Sequence, residues 1–208
     1  MALHGLLLDL EGVLYQEGEP IDGAVEAVAQ CRGMGLKIRF LTNTTTKPKS
    51  AIVERLSRLG FNVSAEDVFT PASASHKALE ELGAKHIRLA APSSLVEDFD
   101  SFEIVSDRKV DAVVMGDLHF GFSWELLNDL LGLLLEGASL IGLHKNRRCR
   151  REEGLSLDLG PFVAALEYAA ETEAVVVGKP SRAFFNSALQ SMGLAAREVV
   201  MVGDDLES

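Results

Sequence analysis

The sequence contains only two cysteines, Cys31 and Cys149, among its 208 residues. Cys31 lies in a segment with helical spacing and Cys149 lies in a basic loop, so a disulfide framework is not expected. So low a cysteine content is typical of proteins in reducing compartments. Apolar residues make up 47% of the chain, which is enough for a full-sized hydrophobic core and argues against disorder.

The sequence also lacks an excess of positive charge and any long apolar run. Its formal net charge of −11 argues against nucleic acid or an anionic membrane as the main partner. No apolar run approaches the roughly 18 residues of a membrane-spanning helix, and residues 1–4 lack the charged front of a signal peptide. The histidines are scattered without the spacing of metal ligands, which disfavours zinc. These absences predict a soluble cytoplasmic protein.

Residues 5–14, Gly-Leu-Leu-Leu-Asp-Leu-Glu-Gly-Val-Leu, organise the chain. The apolar run that leads to Asp9 predicts a strand buried on both faces, which is typical of a parallel sheet. Further strands and helices alternate after it, and this alternation predicts a Rossmann-like, doubly wound α/β fold with a parallel sheet. The later strands are predicted at 36–41, 68–69, 86–90, 111–115, 140–143, 155–159, 174–177 and 199–202.

The alternation restarts near Ala72, and this restart predicts two domains. Residues 1–71 and 174–208 are expected to form a discontinuous core domain, with 72–173 inserted as a second α/β domain. The apolar run Ala174–Val177 predicts a buried strand, and we expect it to return the chain to the core domain just before Lys179.

Polar residues follow four strands of the predicted core domain. Because the carboxyl ends of parallel strands meet at one edge of the sheet, we expect these residues to converge. They are the pairs Asp9/Glu11 and Thr42/Asn43, then Lys179, then Asp204/Asp205. Carboxylates suit Mg²⁺, an aspartate can attack phosphorus, and hydroxyl, amide and lysine groups suit phosphate oxygens. The combination predicts phosphoryl transfer, in which catalysis is mostly positioning and charge neutralisation.

With these motifs the chain resembles the haloacid dehalogenase-like phosphatases of subclass IIA. Residues 5–14 resemble the first motif of the family, Thr42-Asn43 the second, Lys179 the third and Gly203-Asp204-Asp205 the fourth. The segments 160–169, 176–180 and 200–205 look like one branch of this subclass. The resemblance extends over essentially the whole chain and implies a C2-type cap domain at 72–173.

The resemblance implies a Mg²⁺-dependent phosphatase in which Asp9 attacks phosphorus and forms an aspartyl-phosphate. Mg²⁺ would be held by the Asp9 carboxylate, the main-chain carbonyl of Glu11 and the Asp204 carboxylate. Thr42, Asn43 and Lys179 would bind the transferring phosphoryl group, and the cap would exclude water and select the substrate. The substrate class stays open among phosphoric monoesters, phosphoamides such as phospho-amino acids, and pyrophosphate.

The sequence departs from the family pattern in two places. Glu11 stands where the family usually has an aspartate that acts as general acid and base, and its extra methylene moves the carboxyl by about one bond length. The fourth motif normally has a further aspartate one position beyond Ser208, and Glu207 is a poorly spaced substitute. We therefore expect part of the core domain to be missing. An alternative to the enzyme is a weak or inactive member that binds a phosphorylated ligand or a protein.

Some features of the predicted cap have two possible interpretations each. The basic segment 144–151 either presents cations to an anionic substrate or is a solvated turn, and it lacks the interleaved aromatics expected for nucleic acid. Trp124 with Phe120 and Phe122 forms either cap packing or a homodimer surface. Asp158 is a candidate for substrate contact because it lies on the second strand of a predicted hairpin.

Overall fold

The computed structural model describes residues 2–106, 109–151 and 154–204, and these form two compact units. The core unit contains the described residues of 2–43, 49–70 and 179–204, and the inserted unit contains those of 44–48 and 71–178. The predicted cap, 72–173, therefore lies within the inserted unit, which also takes in 44–48, 71 and 174–178.

The N-terminal part of the core unit alternates strands and helices, as the apolar runs and helical spacings predict. Its strands and helices are β1 (Gly5–Asp9), β2 (Tyr15–Gln16), β3 (Glu19–Pro20), α1 (Ala24–Gly33), β4 (Lys37–Leu41), α2 (Lys49–Arg58) and β5 (Val68–Phe69). The hairpin of β2 and β3 falls in a segment that the sequence indicates only as polar and turn-like. Two-residue strands leave too short a pattern for period-two alternation to be recognised.

The inserted unit repeats this alternation around a second sheet. Its strands and helices are α3 (Pro71–Glu81), β6 (His86–Ala90), β7 (Glu103–Ile104), β8 (Ala112–Met115), α4 (Trp124–Leu135), β9 (Ser139–Gly142), β10 (Arg148–Arg151), β11 (Gly154–Leu157), α5 (Leu159–Ala170) and β12 (Val175–Val176). Every residue of β8 is buried, which agrees with its unbroken apolar run. Strands β10 and β11 pair as an antiparallel hairpin, so the basic segment predicted as a turn is partly a strand.

The chain then completes the core unit with α6 (Arg182–Met192) and β13 (Val199–Val202). The core sheet has the order β13-β1-β4-β5, and each neighbouring pair is parallel. Leu7 of β1 lies opposite Met201 on one side and Arg39 on the other. The predicted parallel α/β core is thus confirmed, and the ends of β1, β4 and β13 share one edge.

The sheet of the inserted unit has the order β12-β9-β8-β6-β7 and is also parallel. The prediction that 174–177 returns to the core domain is wrong, because Val175 and Val176 pair with Ile141 and Gly142 of β9. A short valine run indicates a strand but carries no information about which of two parallel sheets it joins. Lys179 therefore follows an edge strand of the inserted unit and itself belongs to the core unit.

Each unit has its own hydrophobic core. Phe40, Leu56 and Val68 are fully buried in the core unit, and Phe99, Ile141 and Leu166 are buried in the inserted unit. Helix α4 is rich in leucine, but only Leu130 and Leu134 are buried while Leu135 is exposed, so the helix packs on the core with one face. Across the described ranges, no helix is both long enough and apolar enough to cross a membrane.

Candidate active site

Strand β1 ends at Asp9, whose carboxylate is held from two directions. Its Oδ1 accepts a hydrogen bond from the main-chain N–H of Leu10 at 2.8 Å. Its Oδ2 forms an ion pair with Nζ of Lys179, a residue 170 positions later in the chain. Asp9 is 8% exposed and Lys179 only 2%, so this is a buried ion pair. Removing one partner of such a pair leaves an uncompensated buried charge, which is strongly destabilising.

Asn43, which follows β4, holds the main chain of Lys179. The Lys179 N–H donates to Oδ1 of Asn43 at 2.8 Å, and Nδ2 of Asn43 donates to the Lys179 carbonyl at 3.0 Å. The neighbouring Thr42 is buried, and its N–H donates to the carbonyl of Phe69 at 3.1 Å. The second and third predicted motifs therefore meet within the core unit, and the amide of Asn43 fixes the backbone that carries the Lys179 ammonium. Binding of a phosphoryl group by Thr42, Asn43 and Lys179 stays a prediction.

Gly12 brings the loop after β1 against Asp204, which follows β13. Gly12 has φ +78°, a conformation that side chains with a Cβ resist. A Cβ at this position would lie 2.3 Å from Oδ2 of Asp204 and 2.6 Å from its Cγ. Only glycine allows the Asp204 carboxylate to approach the main chain this closely. The first and fourth motifs are thus brought together.

The donor set around this loop fits a hard divalent cation. The family-implied ligands are two carboxylates, from Asp9 and Asp204, and the carbonyl of Glu11, all of them oxygen donors. Within 2–106, 109–151 and 154–204, no three His, Cys, Asp or Glu side chains cluster as a metal site. A set that takes its third oxygen from the main chain does not need such a cluster. Asp205 and Glu207 lie outside the described residues.

Glu11 is exposed at the surface of the core unit. Next to it lies Tyr15, which belongs to none of the predicted motifs. Tyr15 is buried, and its backbone pairs with that of Glu11. The signal in the sequence that could have pointed to it is a lone aromatic residue at the start of a polar, turn-like segment.

Two features of the inserted unit have structural roles. Asp158 is the N-cap of α5, where its Oδ1 accepts from the Leu159 N–H at 2.8 Å. Burial lowers the pKa of the neighbouring His144, although the carboxylates of Asp158 and Asp117 oppose this shift. The contact of His144 Nε2 with Oδ1 of Asp158 measures 3.7 Å, which is too long for a hydrogen bond. We take burial to dominate, so His144 is neutral.

The cations of the basic segment divide into two groups. Lys145 pairs with Glu167 at 2.6 Å, and Arg151 pairs with Asp117 at 2.8 Å. Arg147, Arg148 and Arg150 are exposed. Part of the segment therefore stabilises the inserted unit itself. Presentation of the remaining cations to a substrate stays a prediction.

Two family models match this chain. One, described as haloacid dehalogenase-like hydrolase, matches residues 6–104, and the other, described as HAD-hydrolase-like, matches residues 176–208. The human haloacid dehalogenase-like hydrolase domain-containing protein 2 is 43% identical over 206 residues, which cover 98% of this chain and 77% of that protein. The phospholysine phosphohistidine inorganic pyrophosphate phosphatase of Bos taurus is 42% identical over 98% of this chain and 76% of its own length.

Solved structures agree with these sequence relatives. The p-nitrophenyl phosphatase from Archaeoglobus fulgidus has a TM-score of 0.92 and 27% identity, with 100% of this chain and 80% of that chain covered. A glycerol phosphate phosphatase from Mycobacterium tuberculosis, solved in complex with calcium, has a TM-score of 0.84 and 29% identity. The match covers 98% of this chain and 61% of that chain. The predicted resemblance is confirmed: the chain belongs to the haloacid dehalogenase-like hydrolase family, as these phosphatases do.

Proposed function

We propose that the protein is a Mg²⁺-dependent phosphatase that works through an aspartyl-phosphate on Asp9. The observation that carries the proposal is the buried ion pair of Asp9 with Lys179 at the carboxyl edge of the core sheet. A nucleophilic carboxylate needs a fixed orientation, and the Leu10 N–H together with the Lys179 ammonium supplies it. The ammonium lies where the negative charge of a phosphoryl group would arrive, which lowers the repulsion between phosphate and carboxylate.

The reaction has two steps. In the first, an oxygen of Asp9 forms a bond to phosphorus while the bond from phosphorus to the leaving group breaks, and Glu11 gives a proton to the departing oxygen or nitrogen. In the second, Glu11 takes a proton from water, the water oxygen bonds to phosphorus, and the Asp9 oxygen leaves with its electron pair. Inorganic phosphate is released, and Asp9 and Glu11 return to their starting protonation states.

Three groups of the core unit would hold Mg²⁺: the carboxylates of Asp9 and Asp204 and the carbonyl of Glu11. The close approach of Gly12 to Asp204 supports this set, because it brings the Asp204 carboxylate against the loop that contains Glu11. When bound, the cation would neutralise charge on the phosphoryl oxygens and on Asp9. Asn43 would hold Lys179 in position through its two hydrogen bonds to the lysine main chain.

The proposed substrates are small phosphorylated molecules, among them phosphoric monoesters, phospho-amino acids with a phosphoamide bond, and pyrophosphate. The names of the relatives support this range, since they include a p-nitrophenyl phosphatase and a phosphatase of phospholysine, phosphohistidine and pyrophosphate. We infer that the inserted unit acts as the cap. The absence of a nucleic-acid partner and the cytoplasmic location stay predictions.

We also infer a homodimer through the inserted unit. Phe120 and Trp124 are 79% and 75% exposed, so both are available to a second copy. Phe122 instead stacks on Phe162 with ring centroids 3.8 Å apart, and it therefore contributes to internal packing. Light scattering of the wild type and of a Phe120→Ser, Trp124→Ser variant tests this, because only the wild type is expected to have the mass of a dimer.

The nucleophile is tested by turnover of p-nitrophenyl phosphate in the presence of Mg²⁺. Asp9→Asn is expected to lower kcat by about 10³-fold or more, because a nucleophile cannot be replaced by binding alone. Asp22→Asn is the matched control, since it makes the same change at an exposed acid and should leave kcat unchanged. Beryllium fluoride should bind the wild type at Asp9 and fail to bind Asp9→Asn. Equal turnover by both variants would remove Asp9 from the nucleophile role.

A second candidate function is a binding module for phosphorylated ligands with little or no turnover. The exposure of Glu11 favours it, because a general acid and base works best when its position is fixed. Calorimetry with inorganic phosphate and Mg²⁺ separates the two candidates when it is combined with the turnover assay. Phosphate binding without turnover of any of the proposed substrate classes would favour the module.

A further inference from the structure

An open groove of about 430 Å³ lies in the core unit, at the amino end of β4. Its volume falls within the range of small-molecule sites, about 300–1,000 Å³. The strand register separates it from the proposed catalytic residues, because Lys37 in the groove lies opposite Gly5 of β1, whereas Leu41 lies opposite Asp9. Four residues of strand, or about 13 Å, lie between these two points. The groove and Asp9 are therefore at opposite ends of the same sheet.

Arg39, which lines the groove, is a charged residue in the middle of a central strand. Strand β4 pairs with β1 on one side and with β5 on the other. Strands of a parallel sheet are normally apolar on both faces, and a charge buried there costs free energy unless it is paired. Lys37 and Arg39 are two residues apart, so they lie on the same face of the sheet. This face therefore carries two cations where the sheet alone would favour apolar side chains.

The end of α6 holds both of these cations in place. Nζ of Lys37 donates to the carbonyl of Met192 at 2.5 Å. Arg39 donates from Nε to the hydroxyl of Ser191 at 2.9 Å and from Nη2 to the carbonyl of Ser191 at 3.1 Å. Its Nη1 also donates to the carbonyl of Ile38 at 2.9 Å. Carbonyl and hydroxyl oxygens carry no formal charge, so these bonds orient the two cations without neutralising them.

A third cation of the groove, Arg32 at the end of α1, shares one carboxylate with Arg39. Oδ2 of Asp67 pairs with Nη2 of Arg32 at 3.1 Å, and Oδ1 of Asp67 pairs with Nη1 of Arg39 at 3.2 Å. Among the described residues that line the groove, Asp67 is the only acid, against two arginines and Lys37. The carboxyl end of α1 adds at most about half a negative charge. The groove is thus positively charged in a chain whose formal net charge is −11.

The cations of the groove keep hydrogen-bond donors for a ligand. An ammonium group has three N–H donors and a guanidinium group has five. Within 2–106, 109–151 and 154–204, Lys37 donates to the Met192 carbonyl alone, and Nε of Arg32 has no acceptor. Guanidinium and ammonium groups together are typical ligands of phosphoryl oxygens. Donors that are already oriented lose little freedom when an anion binds, which favours affinity.

We propose that this groove binds a small anion through its phosphoryl groups, at a site separate from the phosphatase site. Arg32 and Lys37 donate to the phosphoryl oxygens, and Arg39 supplies a further positive charge beside them. The volume of the groove exceeds that of one phosphate ion, so the ligand is either free pyrophosphate or the diphosphate of a larger molecule such as a nucleotide. The inference goes beyond the proposed function and does not depend on it.

Calorimetry with inorganic pyrophosphate in buffer without Mg²⁺ is the first test. Lys37→Met should weaken binding by about threefold to tenfold, because an exposed, charge-assisted hydrogen bond is lost. Arg58→Met is the matched control, since Arg58 is exposed on α2 and pairs with Glu54 at 3.8 Å, and it should bind as the wild type does. Asp9→Asn should also leave the affinity unchanged. A wild type that does not bind, or a larger change in Asp9→Asn than in Lys37→Met, would overturn the inference.

Asp67→Asn should have the opposite effect. It removes the negative charge that repels the ligand and keeps an amide oxygen as an acceptor, so pyrophosphate should bind about threefold to tenfold more tightly. If Asp67 and the two arginines only stabilise the core unit, this variant lowers the melting temperature without a gain in affinity, and that result would contradict the proposed site. Where Asp67→Asn does not fold, Arg32→Met tests the same cluster, because it should weaken binding as Lys37→Met does.

ADP, titrated under the same conditions, distinguishes the two sources of the phosphoryl groups. Tighter binding of ADP than of pyrophosphate would show that the groove also contacts the nucleoside, and weaker or equal binding would assign the groove to the free anion. Either result supports the site if Lys37→Met lowers the affinity in the same proportion. An affinity for ADP that Lys37→Met and Arg32→Met leave unchanged would place ADP elsewhere and count against the groove.

Discussion

Asp9 of the core unit and Asp117 of the inserted unit occupy similar positions in two similar sheets. Asp9 is the last residue of a buried parallel strand and Asp117 comes shortly after one; each is buried, and each pairs with a cation, Lys179 in one case and Arg151 at 2.8 Å in the other. Their surroundings differ. Around Asp117, one oxygen accepts from the His119 N–H at 2.8 Å and the other from Arg151, and the Asp117 N–H donates to the Thr45 hydroxyl at 2.9 Å, all within the inserted unit.

At Asp9, by contrast, segments from four distant parts of the chain meet. Lys179 is fixed by Asn43 after β4, and the loop after Asp9 lies against Asp204 after β13. Distant segments also meet at Asp117, which bonds Arg151 and the Thr45 hydroxyl, whereas the pair of Asp9 and Lys179 combines a carboxylate and an ammonium with a second carboxylate, that of Asp204, against the neighbouring loop. A buried aspartate after a parallel strand is therefore not sufficient for a site. The second carboxylate, that of Asp204 against the loop after Asp9, separates the two cases.

The sharpest test of this difference removes each cation in turn. Lys179→Met is expected to lower kcat for p-nitrophenyl phosphate by about 10²–10³-fold, because it removes a charged group that stabilises the phosphoryl oxygens. Arg151→Met should change kcat less than about threefold and instead lower the free energy of unfolding by about 1–3 kcal/mol, the cost of leaving Asp117 without its partner. Urea unfolding and steady-state kinetics measure both effects. Equal losses of kcat would mean that the two ion pairs are not different in kind.

A smaller effect is expected from the two glycines with the same conformation. Gly12 and Gly23 both have φ +78°, but a Cβ meets Asp204 at the first and has nothing within 4 Å at the second. Both alanine variants should lose about 1–2 kcal/mol of unfolding free energy from backbone strain. Gly12→Ala alone should also weaken Mg²⁺ binding, by about tenfold, because it displaces a proposed ligand. Calorimetry with Mg²⁺ decides, and similar Mg²⁺ affinities in the two variants would remove Asp204 from the metal site.

The sequence predicts much of the core unit, and the reasons are visible at particular residues. The apolar run before Asp9 corresponds closely to β1. Met115-Gly116-Asp117 and Val202-Gly203-Asp204 look alike locally, so only the order of the motifs along the chain selects the second. Residues 5–9, 37–41 and 199–202 pair as expected because a parallel sheet constrains which strand ends can meet.

Other features could not be predicted, because they depend on contacts between distant residues. The sheet that Val175–Val176 joins is decided by packing on β9, which a short valine run does not encode. The two hydrogen bonds between Asn43 and the main chain of Lys179, and the contact of Arg55 with the buried ring of Tyr15, likewise depend on residues that are distant in the sequence. Asp158 was a candidate for substrate contact on the basis of its hairpin, but its hydrogen bond to the Leu159 N–H makes it a helix cap.

The N-cap of α5, Asp158, provides a third test, with an expected change of about 1 kcal/mol in the free energy of unfolding. Asp158→Ala should lower the free energy of unfolding by roughly 0.5–2 kcal/mol, because the first turn of α5 loses its acceptor. Asp158→Ser keeps an acceptor and should recover most of that stability. In both variants kcat/KM per folded molecule should equal that of the wild type. A fall in kcat/KM in Asp158→Ser that exceeds the loss of folded protein would restore Asp158 as a substrate contact.

The smallest expected effect is a dependence of the inserted unit on pH. Burial lowers the pKa of His144, with Asp158 and Asp117 opposing, so the folded unit takes up a proton less readily than the unfolded chain, whose histidine titrates near about 6.5. Above that pH the imidazole is neutral in both states and the stability is complete. As the pH falls below it, the unfolded state gains a proton that the folded state does not, and stability decreases until the lower pKa of the folded state is reached. The slope cannot exceed that of a single proton, about 1.4 kcal/mol per pH unit.

Hydrogen-exchange protection factors of the α5 amides between pH 7.5 and 5.5 measure this decrease in stability. His144→Asn, which keeps an acceptor for the Asn146 N–H, should abolish it, and His4→Asn, at an exposed histidine, should not. An unchanged slope in His144→Asn would assign the pH dependence to another group.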